Sequence, residues 1–210
     1  MSAKGERRRE QIVTAATELL RAGGPGAVSH RAVAARAGAS LSATTYYFSG
    51  LDDLLTAAGA RMVEEWVAHA RAVHDVVLHD AVLDDAVLHG SARPTDRDPC
   101  PGPLVLADVL ADAVLPPGTD EDVRAAYEHL LVAGRVPALT RALATGRHRL
   151  DAAVADLLAT LDVALPAALV VAVVDGAVVS ALSEGRPVRA TARSLLVPLL
   201  APSSAPTDLR

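Results

Sequence analysis

Aromatic residues and cysteines are both scarce in this chain of 210 residues. There are one tryptophan, three tyrosines and one phenylalanine, and the single cysteine is Cys100. One cysteine cannot form an internal disulfide, which excludes a small secreted domain held together by disulfides. The first ten residues, MSAKGERRRE, contain no apolar segment of the kind found in secretory signals, so we expect a cytoplasmic protein.

Motifs of common enzyme active sites are also missing. The patterns GxSxG, HExxH, GxxxxGK[ST] and GxGxxG do not occur, and no cysteine–histidine or paired-carboxylate constellation stands out. An all-helical enzyme is one alternative for a chain of this composition, but nothing in the sequence favours it. We therefore predict no enzymatic activity, no catalytic residue and no cofactor.

Two pairs of acidic and histidine residues raise the possibility of a metal site. Asp75 with His79, and Asp85 with His89, are four residues apart and would share helix faces. A structural metal site needs three or four ligands, and no further ligand accompanies either pair. We predict that the chain binds no metal.

The abundant residues are small and aliphatic. Hydrophobic residues make up 51% of the chain, mainly alanine, valine and leucine in helical spacing. We predict an all-α protein of about nine helices with a linker at residues 90–103. The helices are expected at about residues 6–22, 30–37, 41–47, 51 to beyond 66, 104–115, 119–146, 148–163, 165–187 and 189–201.

Charge is distributed unevenly along the chain. Residues 1–50 contain seven basic and three acidic residues, a net charge of +4 in a chain whose total is −5. A basic segment in front of an acidic body is typical of a protein that binds a polyanion through that segment.

The same basic segment contains the pattern of a helix-turn-helix. Ser29 can cap a short second helix, Gly38 suits the left-handed turn after it, and Ser40 can cap a third helix at 41–47. That helix and its flank contain three of the five aromatic residues, with Phe48 as the expected anchor. Hydroxyl side chains around them can reach phosphates and base edges in the major groove.

A longer stretch carries a resemblance to a known family. The run REQIVTAATELLRAGGPGAVSHRAVAARAGASLSATTYYFSGLDDLLTAA resembles the N-terminal domain of the tetracycline-repressor family of bacterial transcription regulators. The features that match are IVTAATELL, AVAARAG, YYF and LDDLL. Leu41 and Leu51 depart from the pattern, because many members of the family have lysine there.

The resemblance implies a DNA-binding domain at residues 1–50 and a ligand-binding and dimerisation domain at residues 51–210. The residues predicted to bind DNA are Lys4, Arg7, Arg8, Ser29, His30, Arg31, Ser40, Leu41, Ser42, Thr44, Thr45, Tyr46 and Tyr47. The residues predicted to line a ligand pocket are Met62, Trp66, His69, Leu106, Leu110, Tyr127, Leu131 and Arg135, for which ordinary core packing is the alternative.

The stretch LPAALVVAVVDGAVVSALSEGRP is apolar almost all round. Pro166 and Asp175 argue against a membrane span, so we predict no membrane association. Small side chains recur every four residues and would let a second helix approach closely. The residues predicted to form a homodimer interface are Ala168, Ala172, Gly176, Ser180, Leu195, Leu196 and Leu199, with burial inside the chain as the alternative.

These features together predict a sequence-specific regulator that binds a palindromic DNA operator as a homodimer. Repression relieved by a small-molecule effector is the mechanism most common in the family, with activation as an alternative. A helical dimeric adaptor with a degenerate DNA-binding head is the rival interpretation, since Leu41 and Leu51 place apolar side chains where charge is expected. Neither the operator nor the effector can be named from the sequence.

Overall fold

The structure is a computed structural model that describes residues 2–88 and 102–201, with side chains for 2–79 and 102–201. Within these ranges the chain forms nine α-helices and no strand, which confirms the predicted all-α fold. The helices are α1 (Ala3–Gly23), α2 (His30–Arg36), α3 (Leu41–Tyr47), α4 (Leu51–Leu88), α5 (Pro103–Val114), α6 (Asp120–Ala133), α7 (Pro137–Thr160), α8 (Ala167–Glu184) and α9 (Val188–Leu200). Cys100, His89 and residues 90–101 of the predicted linker lie outside the described residues, and so does the side chain of Asp85, so the Asp85–His89 pair is not described.

Helices α2 and α3 are delimited by local signals. The hydroxyl of Ser29 accepts a hydrogen bond from the amide of Ala32, and that of Ser40 accepts one from Ala43. Gly38 between them has a φ of +57°, the left-handed conformation that glycine adopts without steric cost. These contacts confirm the predicted caps and turn of a helix-turn-helix.

A single apolar core holds α1, α2 and the start of α4 around the end of α3. Ile12, Val33, Phe48 and Leu54 are among its fully buried side chains. Thr17 links α1 to α4, because its buried hydroxyl donates a hydrogen bond of 3.3 Å to the carbonyl oxygen of Ala58. Burial of Phe48 confirms its predicted role as the anchor of α3.

The start of α4 is fixed by a side chain that reaches back to Ser49. Ser49 and Asp52 have the spacing of a capping box, but the carboxylate of Asp53 accepts the hydrogen bonds from the amide and the hydroxyl of Ser49, at 3.1 and 3.3 Å. Because α4 begins at Leu51, the acidic side chain that reaches back is one residue further along.

The prediction of one helix at 119–146 and another at 148–163 is wrong. Helix α6 ends before Gly134, and Pro137 begins α7, where a proline at the first position loses no hydrogen bond. Gly146 lies inside α7 because it packs against α4: a Cβ there would lie 2.0 Å from Cγ1 of Val63. A close approach of two helices, not a helix end, explains this glycine.

The chain divides into two compact units. The first comprises Met1–His69 and Pro116–Asp151, and the second comprises Ala70–Leu115 and Ala152–Arg210. This division follows packing, and the predicted functional boundary after residue 50 stays a prediction. In the first unit α1 to α3 form the helix-turn-helix head, and α6 packs against α1.

The second unit is built on α5, α8 and α9. Its core consists of aliphatic side chains such as Leu110, Val174 and Leu196, each fully buried. Arg189 and Arg193 of α9 pair with Asp112 and Asp108 of α5, at 2.7 and 3.2 Å. The residue number rises from Arg189 to Arg193 while that of the partner falls from Asp112 to Asp108. The two pairs therefore fix α5 and α9 in an antiparallel register.

Helix α8 is long and apolar enough to cross a membrane by the criteria of length and composition. The buried core helix of a soluble protein meets the same criteria, and the row Val170, Val174, Ala177 and Ala181 is fully buried in the second unit. The helix therefore has a clear packing role within the protein.

Candidate nucleic-acid interface and ligand cavity

The outer surface of α3 is exposed and rich in hydroxyl groups. Ser42 and Thr45 are exposed, Leu41 is 49% exposed and Tyr46 is 81% exposed. An exposed tyrosine beside two small hydroxyl side chains offers donors and acceptors with little bulk. This surface has the size and chemistry for contact with phosphates and base edges in a major groove.

Thr44 does not belong to this surface, and its prediction as a DNA contact is corrected. Its side chain is completely buried, and its hydroxyl donates a hydrogen bond of 2.8 Å to the carbonyl oxygen of Leu41. The residue therefore packs α3 onto the core of the head.

The two tyrosines of α3 have different surroundings. Tyr47 is half-buried against the core of the head, whereas the ring of Tyr46 stands in solvent with its centroid 5.0 Å from that of Tyr47. The guanidinium of Arg9 lies 5.1 Å from the centre of the Phe48 ring, which links α1 to the end of α3. Tyr47 and Phe48 thus hold the helix in place, and Tyr46 is free to reach a partner.

The residues at the start of α2 and α3 combine capping with exposure. Ser29, Arg31 and Ser40 are exposed, and the hydroxyls of Ser40 and Ser42 lie 2.9 Å apart. His30 is half-buried, and its buried Nδ1 has no hydrogen-bond partner among the described residues. Ser29 and Ser40 accept the capping hydrogen bonds through their oxygens, so each hydroxyl can still donate its proton, that of Ser40 to Ser42 among others.

The first turns of α1 form a basic arm. Lys4 and Arg7 are exposed, and Arg8 donates a hydrogen bond of 3.1 Å to the side-chain oxygen of Gln11. These four side chains line a shallow cleft. The predicted contacts Lys4, Arg7 and Arg8 are therefore brought together on one surface suited to phosphate groups.

A cavity of about 310 Å³ lies within the first unit. Small-molecule sites typically have volumes of about 300–1,000 Å³. Met62, Trp66 and Tyr127 were predicted to line a pocket and do line this cavity. Its other walls come from four helices and the segment between α5 and α6. They are Leu20 and Arg21 of α1, Glu65 of α4, Pro116 and Pro117 of that segment, Asp122, Ala126, His129, Leu130 and Ala133 of α6, and Leu139 and Leu143 of α7.

Four of the cavity's side chains are polar or charged. Glu65 pairs with Arg21 at 2.5 Å, and Nδ1 of His129 lies 3.0 Å from the carbonyl oxygen of Arg21, to which it donates. Hydrogen bonds from the amide and hydroxyl of Thr119 lower the pKa of Asp122 below its usual value. The aromatic rings of Trp66 and Tyr127 meet edge to face, with centroids 6.2 Å apart.

Five of the predicted pocket residues do not line this cavity. Leu106 and Leu110 are buried in the core of the second unit, and Leu131 is 63% exposed on α6. His69 and Arg135 belong to the first unit but are not on the cavity wall. The wall that α1 and α7 supply was not predicted, because no local motif shows which residues of these helices face a cavity.

The predicted dimer residues fall into an exposed and a buried set. Ala168, Ala172 and Gly176 are exposed and Ser180 is half-buried along one side of α8. Leu195 and Leu199 of α9 are 44% and 39% exposed. Leu196 is fully buried in the second unit, so packing inside the chain explains it and the prediction of an interface role there is corrected.

Metal-ligating side chains do not cluster in the described part of the chain. No group of three or more histidine, cysteine, aspartate or glutamate side chains there could hold a metal ion. Asp75 and His79 are both exposed on α4.

An exposed recognition helix next to a basic arm defines a helix-turn-helix DNA-binding protein. Residues 12–58 match the family described as bacterial regulatory proteins of the tetR family, and residues 101–202 match a tetracyclin repressor-like C-terminal domain. Together with the relatives below, these matches show that the chain belongs to the tetracycline-repressor family of DNA-binding transcription regulators.

Solved structures of family members are similar over nearly the whole chain. The multidrug binding protein EbrR in complex with imidazole is 32% identical, with a TM-score of 0.61, and the match covers 96% of this chain and 98% of that chain. The EbrR complex with proflavin is 32% identical over 91% of this chain and 99% of that chain, with a TM-score of 0.58. EbrR has also been solved with ethidium and with malachite green.

A third similar structure is SCO1917 from Streptomyces coelicolor A3, described as a member of the TetR family. It is 32% identical, covers 92% of this chain and 98% of its own, and has a TM-score of 0.57. No curated protein sequence matches the chain.

Proposed function

We propose that this protein is a ligand-responsive transcriptional repressor that binds a palindromic operator as a homodimer in the cytoplasm. The observation that carries the proposal is the exposed surface of α3, with Ser42, Thr45 and Tyr46, beside the basic arm of α1. The hydroxyl groups read base edges and the arm neutralises phosphates. Each head places α3 in a major groove.

Dimerisation through α8 and α9 is supported by their exposed surfaces. Ala172 and Gly176 are exposed on α8 between the larger Leu169 and Val179, which are 42% and 46% exposed. Small residues allow a second helix to approach closely, and the flanking aliphatic side chains supply apolar area. A two-fold dimer presents two copies of α3, so its operator has two inverted half-sites.

The cavity of the first unit is the proposed effector site. EbrR binds proflavin, ethidium and malachite green, which are aromatic cations. In this chain Trp66 and Tyr127 supply aromatic walls, and Glu65 and Asp122 supply negative charge. These side chains favour an aromatic cation as effector. Such a ligand causes release from DNA if it binds the released conformation more tightly.

The experiment is selection from a random duplex pool by the purified protein at about 0.15 M salt, where non-specific binding is weak. We expect an inverted repeat to be enriched, and we expect Tyr46→Ala to lose it. Thr44→Ala serves as the comparison variant, because Thr44 is buried and acts through packing. A reporter gene behind the selected operator then distinguishes repression from activation.

A failed selection would favour a different function. If no sequence is enriched and duplex binding stays non-specific, the head does not recognise a specific DNA sequence. The helical adaptor would then be the better account, with the exposed Leu41 and Leu51 as its contact surface.

A further inference from the structure

Four charged side chains form an alternating row between α1 and α4. Glu10 pairs with Arg61, Arg61 pairs with Glu65 at 3.1 Å, and Glu65 pairs with Arg21 at 2.5 Å. The outer two belong to α1 and the inner two to α4. The two oxygens of Glu65 are divided, since Oε1 accepts from Arg61 and Oε2 accepts from Arg21.

This row, Glu10–Arg61–Glu65–Arg21, ends in the cavity. Glu65 and Arg21 both line the cavity, whereas Arg61 and Glu10 do not. Hydrogen bonding to Glu10 raises the pKa of Arg61 further above its usual value. The Arg21–Glu65 pair is therefore the member of the row that a molecule in the cavity can reach.

The second carboxylate of the cavity uses one oxygen to cap its own helix. Oδ2 of Asp122 accepts hydrogen bonds from the amide and the hydroxyl of Thr119 at the start of α6, at 2.8 and 2.7 Å. The guanidinium of Arg21 is close enough to lower the pKa of Asp122 further. Asp122 is thus a nearby acidic side chain toward which a displaced Arg21 can turn, whereas Glu65 is the carboxylate that Arg21 already holds.

We propose that Glu65 anchors the positive charge of a cationic aromatic effector and that the effector displaces Arg21 from it. A ligand cation and the Arg21 guanidinium compete for the same carboxylate oxygen. The pair is half exposed, with side-chain exposures of 50% and 40%. Half-exposed ion pairs are weak, so a cation held by the aromatic walls can replace one partner.

Displacement of Arg21 loosens one of several links between the head and the cavity. The hydroxyl of Thr17 keeps its bond to Ala58, and His129 keeps its bond to the backbone of Arg21. Helix α1 thus stays attached while its side-chain link to α4 at Glu65 is lost. The inference rests on the proposed function: if the operator selects the linked arrangement, effector and operator weaken each other's binding by the same factor.

Proflavin fluorescence titrations of the full chain, without DNA, test the exchange. Arg21→Met removes the competitor and should tighten proflavin binding about five-fold, whereas Glu65→Gln removes the anchor and should weaken it about five-fold. Glu18→Gln is the matched control, because Glu18 pairs with Arg36 on the head at 2.7 Å with similar exposure, away from the cavity. It should leave proflavin binding unchanged.

Acridine, which is uncharged at mildly alkaline pH, separates charge exchange from altered packing. Its affinity should be the same for the wild type, Arg21→Met and Glu65→Gln. The proposal is overturned if the wild type does not bind proflavin or if Glu65→Gln binds proflavin as tightly as the wild type. It is also overturned if Arg21→Met tightens acridine binding by the same factor as proflavin binding. Thermal unfolding of each variant verifies that it is folded.

A second titration in the presence of the selected operator separates this inference from the proposed function. In the wild type the operator should raise the dissociation constant of proflavin. In Arg21→Met the ratio of the dissociation constants measured with and without operator should fall toward one. Lack of any antagonism in the wild type would refute ligand-responsive DNA binding while leaving the exchange at Glu65 established by the DNA-free titrations. Antagonism of equal size in both proteins would refute the role of Arg21 in the coupling.

Discussion

Two exposed helix surfaces of this protein have opposite chemistry. The outer side of α3 has hydroxyl groups and one exposed tyrosine, with a basic arm nearby, whereas the exposed side of α8 has alanine, glycine and aliphatic side chains. A surface that meets a hydrated polyanion needs donors and positive charge. A surface that meets another protein helix needs small residues and apolar area. Exposure alone identifies neither; the chemistry of the exposed side chains does.

A charge introduced on the exposed apolar side of α8 should have the largest effect on operator affinity. Ala172→Glu places a carboxylate on the exposed side of α8, where a partner helix would bury it without a counter-charge. We expect monomers in sedimentation equilibrium and a loss of operator affinity of about 100-fold or more, because one head alone contacts one half-site. Ala155→Glu is the control, since Ala155 is exposed on α7; it should remain dimeric.

Truncation of the exposed tyrosine tests the polar surface. Tyr46→Ala removes an 81% exposed side chain from each of two heads, so we expect operator affinity to fall about ten-fold or more while the melting temperature changes little. Tyr47→Ala should mainly lower the melting temperature and change operator affinity less, because Tyr47 packs against the core of the head. Equal effects of the two changes on affinity and stability would contradict this division.

Neutralisation of the basic arm should change the salt dependence of binding. Lys4→Ala removes one predicted phosphate contact from each head, so the slope of log K against log salt should become shallower by about 1.8 for the dimer. Arg141→Ala, at an exposed position on α7, is the matched control and should keep the wild-type slope. Both slopes can be measured on the same operator by fluorescence anisotropy.

Two mid-helix glycines give the smallest and most specific test. Gly146→Ala forces a Cβ against Val63, so it should lower the free energy of unfolding by about 1–3 kcal/mol. A Cβ at Gly176 meets nothing within 4 Å outside its own helix backbone, so Gly176→Ala should not lower chain stability but should raise the dimer dissociation constant. Chemical unfolding at two protein concentrations separates the effects. Equal destabilisation by both changes would count against a partner at α8.

Local signals made the head predictable from the sequence. Ser29, Gly38 and Ser40 each act on the backbone within a few residues, so their roles in capping and turning can be read without tertiary structure. Thr44 was misjudged because a hydroxyl in a short helix is equally suited to solvent and to a buried bond with the backbone.

The cavity could be predicted only in part because its walls come from distant parts of the chain. Met62 and Trp66 follow from the position of α4, but no short-range pattern brings Arg21 to Glu65, which are 44 residues apart. Gly146 was read as a helix end since a glycine that permits close packing and a glycine that ends a helix look alike in sequence.

The most direct measurement compares the affinity for the full inverted repeat with that for a single half-site, in the wild type and in Ala172→Glu. We expect the wild type to bind the inverted repeat as one dimer, much more tightly than the half-site. We expect Ala172→Glu to bind both duplexes with the same low affinity. If the wild type shows no preference for the inverted repeat, or if Ala172→Glu keeps that preference, operator binding does not depend on dimerisation through α8.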